Sequence, residues 1–156
     1  MELVNETNIE QAYKIFVGNM NKKNDFRYSC SKTRYIFKES YLQFKEFIHN
    51  KRFIGFIDST EEKLIIIENV RKANGNLTYL IFRFIYCDSI MFNNVEMLIK
   101  KMFLEKGIEK VKIICNKKDI KDSIECLYKH KYFLDLKYVV GENERVQFSK
   151  YIYEND

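Results

Sequence analysis

Four cysteines, Cys30, Cys87, Cys115 and Cys126, carry the most reactive side chains in this sequence. A thiolate can attack a carbonyl or hold a metal, and either role needs company. A nucleophile needs a neighbouring base or cation, and a zinc ligand needs partners at C-x-x-C or C/H spacing. None of the four has that spacing, and no obvious base stands beside any of them in the chain. They read as reduced, small buried hydrophobes, and no metal site is expected. Two of them are set apart by position. Cys87 closes the run Leu77–Cys87 and Cys115 closes Val111–Cys115.

Both runs have strand composition. LTYLIFRFIYC is β-branched and aromatic, with Arg83 as its single charge, which suits a strand covered on both faces. VKIIC is short and apolar. Between them Val95, Leu98, Ile99, Met102 and Phe103 repeat at helical spacing, and Gly107 stops that helix at about residue 106. A second stripe follows VKIIC in Ile120, Ile124, Leu127 and Tyr128. Strand, helix, strand within one sheet requires a parallel pair joined by a right-handed crossover. Ligands bind at the carboxyl ends of such strands, here Cys87–Asp88 and Cys115–Asn116.

The remaining elements frame this unit. Glu2–Asn5 can form a short strand. Thr7 and Glu10 have capping-box spacing before a helix over 8–20, and Ser40 and Gln43 have it before a helix over 40–49. Asn19–Lys32 is polar and aperiodic and reads as a loop, whereas Thr33–Lys38 fits either an extended or a helical conformation. Arg52–Asp58 and Lys63–Arg71 are strands, with Gly55 hinting at a bulge or a close backbone approach. Asn74-Gly75 is a hairpin signal ahead of Leu77. Phe133–Val140 and Arg145–Tyr153 form a terminal hairpin around Gly141–Glu144. The fold class is therefore a mixed α/β sheet in one domain over residues 1–156: an antiparallel meander, a parallel β-α-β unit and a C-terminal hairpin.

Composition narrows the function. Apolar residues make up 46% of the chain, which is globular and not disordered. No apolar run reaches the roughly 18–20 residues of a membrane span. The acidic, polar N-terminus shows no signal peptide, so a cytoplasmic location is expected. The net charge of +5 is spread along the chain with acids between the lysines, which argues against nucleic acid as a partner. The abundant tyrosines and phenylalanines leave room for an interface, including that of a homodimer.

In element order this chain resembles the GCN5-related N-acetyltransferase (GNAT) superfamily over nearly its whole length. Leu127-Tyr128-Lys129-His130-Lys131-Tyr132-Phe133 is similar to the family's L-Y-x-x-x-G-F segment, with Tyr132 where glycine is usual. The resemblance implies transfer of an acyl group, usually acetyl from acetyl-coenzyme A, to the amine of a small molecule or peptide. It implies that pantetheine lies between two splayed strands, along Ile85, Tyr86 and Cys87 and opposite Asn116. It implies that pyrophosphate sits at the start of the next helix, near Asn93 and Asn94. Tyr128 matches the tyrosine that protonates the leaving thiolate, and a phenol of ordinary pKa about 10 can serve a thiol of about 8.5. Glu68 is the candidate base, reached through water. A catalytically silent GNAT-like domain that binds a ligand or a protein through the same cleft is the alternative.

The pyrophosphate loop departs from the family pattern. Asp88–Asn94 has no glycine, arginine or glutamine, and Ile90, Met91 and Phe92 add bulk. Asn93 and Glu96 have capping spacing, so this helix is expected to start near residue 94 with an acid close to where phosphate would sit. Weak binding of the coenzyme follows as an expectation.

Overall fold

A strand buried without alternation must be covered on both faces, and Leu64–Ile67 is such a stretch, each residue at most 1% exposed. The structure, a computed structural model, describes residues 1–19, 27–29, 40–71 and 77–152. Its elements are β1 (Glu2–Leu3), α1 (Ile9–Asn19), β2 (Arg27–Ser29), α2 (Tyr41–His49), β3 (Phe53–Asp58), β4 (Lys63–Arg71) and β5 (Leu77–Tyr86). They continue as α3 (Ser89–Phe103), β6 (Lys110–Asn116), α4 (Lys117–Ile120), α5 (Ile124–Lys129), β7 (Phe133–Val140) and β8 (Asn143–Tyr151). One mixed sheet runs β1-β3-β4-β5-β6-β8-β7, with β2 added to β5 off that path. The β5–β6 pair is parallel and the other pairs are antiparallel. The meander, the crossover and the terminal hairpin expected from the sequence are all present.

The sheet separates two apolar cores. On one face α1 and α2 pack Ile9, Ala12, Phe16 and Phe44 against Ile57, Leu64, Ile66 and Phe84. On the other, α3 and α5 pack Phe92, Val95, Ile99 and Leu127 against Ile65, Ile67, Leu80, Phe82, Ile113 and Phe148. Among the described residues no helix is long and apolar enough to cross a membrane.

Local signals explain where the elements begin and end. Ser40 caps α2, its hydroxyl accepting the Gln43 N–H at 3.1 Å. At α1 the capping residue is Asn5 and not Thr7. The Asn5 carboxamide oxygen accepts the Thr7 N–H at 2.8 Å, and its carbonyl accepts the Ile9 N–H. Gly107 ends the α3 segment at φ +72° after a 3₁₀ turn over Leu104–Lys106. The hairpin signal Asn74-Gly75, the undecided stretch Thr33–Lys38, and Cys30 lie outside the described residues. So does the Asn19–Lys32 loop, apart from Asn19 and the three residues of β2.

Gly55 marks a close approach. A Cβ on it would lie 2.5 Å from Val4 Cγ2 and 2.9 Å from Val4 Cβ. The Val4 N–H donates to the Gly55 carbonyl at 2.8 Å, so the segment after β1 is held against β3 just where the clash would fall. Gly55→Ala should therefore cost about 1–3 kcal/mol. Urea unfolding of the two proteins checks this, and an unchanged midpoint would mean that Val4 moves aside freely.

Candidate active site

The pairing of β5 with β6 runs from Tyr79 opposite Lys110 to Phe82 opposite Ile113 and stops there. Beyond that row each strand keeps its outer partner. β5 follows β4 as far as Tyr86, and β6 follows β8 as far as Asn116. Two adjacent parallel strands thus part at their carboxyl ends and leave a wedge between Arg83–Cys87 and Ile114–Asn116.

A β-bulge accompanies the parting. Ile67 faces Phe82 and Ile66 faces Phe84, so Arg83 is an extra residue in β5. The insertion shifts the side-chain phase of the strand. Leu80 and Phe82 before it, and Ile85 and Cys87 after it, all pack in the α3 core, whereas Phe84 joins the α1–α2 core. Arg83 turns to Glu68 on the α1–α2 face, where its guanidinium binds Oε2 and both side chains are about nine-tenths buried. The Arg52 Nε donates to Glu68 Oε1 at 3.3 Å. Glu68, expected as a water-linked base, is a buried anchor for two guanidinium groups.

The edge of β5 along the wedge is paired. β2 runs antiparallel to it, with Arg27 opposite Tyr86, Tyr28 opposite Ile85 and Ser29 opposite Phe84. β4 holds the other edge over the same residues. The sequence offered no sign of β2, which is three residues within a polar stretch.

The helix beyond the wedge starts earlier than its capping spacing suggests. The N-cap of α3 is Asp88, whose Oδ1 accepts the Met91 N–H at 2.8 Å. Asn93 and Asn94 lie in the second turn, exposed, and are not the helix start. Met91 and Phe92 point into the core and do not obstruct the helix N-terminus, while Ile90 is exposed. What occupies that N-terminus is a carboxylate. Lys63 Nζ pairs with Asp88 Oδ2 at 2.5 Å and with Glu61 Oε2 at 2.6 Å. The Lys63 bond, then the capping N–H of Met91, holds the Asp88 carboxyl below its ordinary range. Burial, then the charge of Asp88, pushes the Cys87 thiol up, so it is a poor source of thiolate.

Glu96 is likewise not at a helix start. It is largely buried beside α5 and β8, where His130 Nδ1 lies 2.8 Å from Oε2 and Lys150 Nζ 3.2 Å from Oε1. The Tyr132 hydroxyl also bonds Glu96, and burial raises that phenol well above its ordinary pKa. Tyr132 thus ties the start of β7 to α3.

Leu127 takes the core position, and Tyr128 is rotated out of it, about half exposed, with its ring edge-on to Phe148 at 6.0 Å. Phe148 faces Ile113, the last residue of β6 that pairs with β5. Tyr128 therefore stands over the row where the wedge begins, one strand across from it. Asn116 ends β6 and shares a cleft of about 480 Å³ with Lys117, Lys118 and Lys121. The structure brings Ile85, Tyr86, Cys87 and Asn116 to the two arms of the wedge. It leaves Asn93 and Asn94 exposed in the second turn of α3, Asn93 at the edge of a cavity with Glu96, Tyr132 and Lys150, and Glu68 on the opposite face of the sheet.

No family model and no curated protein matches this sequence. Solved structures do match it in fold. The chain is similar to an aminoglycoside 6'-acetyltransferase type Ii, with 13% identity over 100% of both chains and a TM-score of 0.63. It is similar to a GNAT-family acetyltransferase from Bacillus anthracis, with 9% identity over 99% of this chain and 97% of that one, TM-score 0.61. A spermidine N-acetyltransferase from Vibrio cholerae gives 9% identity over 97% and 92%, TM-score 0.63.

The ion pair behind the bulge can be tested apart from any activity. Removing one partner of a buried pair strands the other charge at a cost of about 3–5 kcal/mol, whereas an apolar pair of similar size is close to neutral. Arg83→Met should lose about 3 kcal/mol in urea unfolding, and adding Glu68→Leu should recover most of it. Additive losses in the double variant would count against the coupling.

Proposed function

From the GNAT fold of this chain, we propose that it is an N-acyltransferase, moving an acyl group, acetyl first, from acyl-coenzyme A to an amine. The observation that carries this reading is the wedge: the parallel pair ends at Phe82 and Ile113 while both strands continue. A pantetheine arm carries two amides, and a strand edge pairs with amides as it would with another strand.

Backbone groups at Ile85 and Tyr86 would bind that arm, with Cys87 and Asn116 flanking it. The group supplies a thioester, whose carbonyl carbon the neutral amine attacks while the thiolate leaves. Tyr128 would hold a proton on its hydroxyl for that thiolate. A buried Glu68 paired with two arginines supports a structural part for that residue, and bulk water can take the amine's proton.

The pyrophosphate does not fit at the α3 N-terminus with Asp88 ionised there, because carboxylate and phosphate charges a few ångströms apart repel by about 1–4 kcal/mol. Lys118 and Lys121 beside Asn116 supply positive charge at the other arm of the wedge, in a cleft that Glu142 and Glu144 also line and where Lys117 Nζ pairs with Glu144 Oε2 at 3.1 Å. Asn93 and Asn94, exposed on α3, remain candidates for the outer part of the coenzyme. The Asp88 carboxylate also favours the second reading, a catalytically silent domain that uses the cleft to bind a ligand or protein. Acetyl-coenzyme A separates the two: at 100 times its dissociation constant it should add about 2.7 kcal/mol to the stability of a true binder.

Coenzyme A should bind with a Kd of about 100 μM or weaker, roughly −5.5 kcal/mol. Asp88→Asn keeps a capping side chain and removes the charge, so it should tighten binding by about tenfold. Isothermal titration measures both, and a sub-micromolar Kd for the unaltered protein would contradict the charge argument. Tyr128→Phe should lower kcat by about 10²–10⁴ and leave the melting temperature nearly unchanged, since the hydroxyl belongs to a half-exposed residue. A large fall in melting temperature with unchanged turnover would make Tyr128 a packing residue instead.

A further inference from the structure

A strand has two edges and no more. Over Phe84–Tyr86 one edge of β5 belongs to β4, and the other, the edge that β6 uses lower down, belongs to β2. The backbone groups that face the wedge are therefore those that pair with Arg27–Ser29 of the chain itself. We propose that β2 is an internal competitor of the acyl donor, occupying by backbone pairing the stretch of β5 that a pantetheine arm requires. The inference rests on the donor-site reading above and adds regulation to it.

The argument is one of valence. Each backbone N–H donates one bond, and an N–H already given to β2 cannot also bind a ligand amide. A buried N–H left without a partner is costly, so β5 is satisfied in one of two ways, by β2 or by an added amide chain. The exchange makes and breaks bonds of the same kind and conserves their number. Its outcome is set by the concentration of donor and by how firmly β2 is held. A site closed in this way binds its ligand less tightly by the fraction of time that β2 is absent from the edge. β2 lies between α1 and α2 in the chain, and anything that engages β2 itself also changes access to the wedge. Any acceptor or protein that draws this segment away raises the affinity for the donor, and by linkage the donor raises the affinity for it.

Hydrogen exchange on the unaltered protein tests the exchange of partners directly. In the free protein the amides of Arg27–Ser29 that point at β5, and those of Phe84–Tyr86, are expected to be protected. With acetyl-coenzyme A at a concentration that saturates its thermal shift, Phe84–Tyr86 should stay protected and Arg27–Ser29 should lose protection. Arg27–Ser29 retaining full protection in the saturated complex would overturn the competition. A second arm uses Tyr28→Pro with Ser29→Pro. Successive N–H groups of a strand point to opposite edges, so the double replacement removes a donor to β5 whichever of the two supplies it. This variant should bind coenzyme A at least tenfold more tightly by titration, with a melting curve to show that it is folded. Equal affinity in both folded proteins would reject the competition and keep the donor site. Binding in neither protein, at any concentration of thioester, would reject the donor site and the competition with it.

Discussion

A guanidinium in the middle of a strand buried on both faces has to meet a carboxylate, and Arg83 meets Glu68. Leaving the charge unpaired would cost several kcal/mol, a large part of the whole stability of a domain this size. Alternation alone turns Arg83 away from the face of Phe82 and towards that of Glu68; what it would not do is keep Phe84 there too. Arg83 follows Phe82 and would then be followed by a residue on the face of Phe82. The bulge places Arg83 and Phe84 on one face, beside Glu68 and Ile66 respectively. Everything at the carboxyl end of the sheet inherits that shift: Ile85 and Cys87 turn to α3, and β5 leaves β6.

The parting of two strands creates unsatisfied backbone, and the end of the sheet is occupied by groups from this chain. β2 supplies hydrogen bonds to the edge of β5. Asp88 supplies a carboxylate to the N–H groups that begin α3, and Lys63 balances its charge. Ligand-binding wedges in open sheets depend on such groups being available. Here those groups are already bonded within the chain.

The crossover was legible because its signals are local and redundant. Val95, Ile99 and Phe103 mark a helix face, Gly107 marks its end, and two β-branched runs flank it. The start of α3 was misread because Asn93 and Glu96 have the better capping spacing. The stripe itself gives the answer: Phe92 and Met91 continue the face of Val95 by three and four residues towards the N-terminus and so demand an earlier start. Arg83 stood out as a lone charge, but its partner did not, since one extra residue in β5 leaves no mark in the sequence and no glycine announces it. β2 was invisible for a simpler reason. Its pairing is by backbone, and Arg27, Tyr28 and Ser29 carry no pattern. Tyr132 was seen as an exception to a family segment; the Glu96 that answers it lies far away in the chain.

The two cores differ in when synthesis can complete them. Among the described residues the α1–α2 core lies between Val4 and Tyr86, so this part is whole once β5 has left the ribosome. The α3–α5 core draws on residues from Phe56 to Ile152, and until the last strand emerges the undersides of β3, β4 and β5 stay bare. A growing chain therefore holds a half-finished sheet whose apolar back, Phe56, Ile65, Ile67, Leu80 and Phe82, faces solvent or a chaperone for the time needed to add the second half. That interval, and not the finished molecule, is when this protein is most exposed to aggregation.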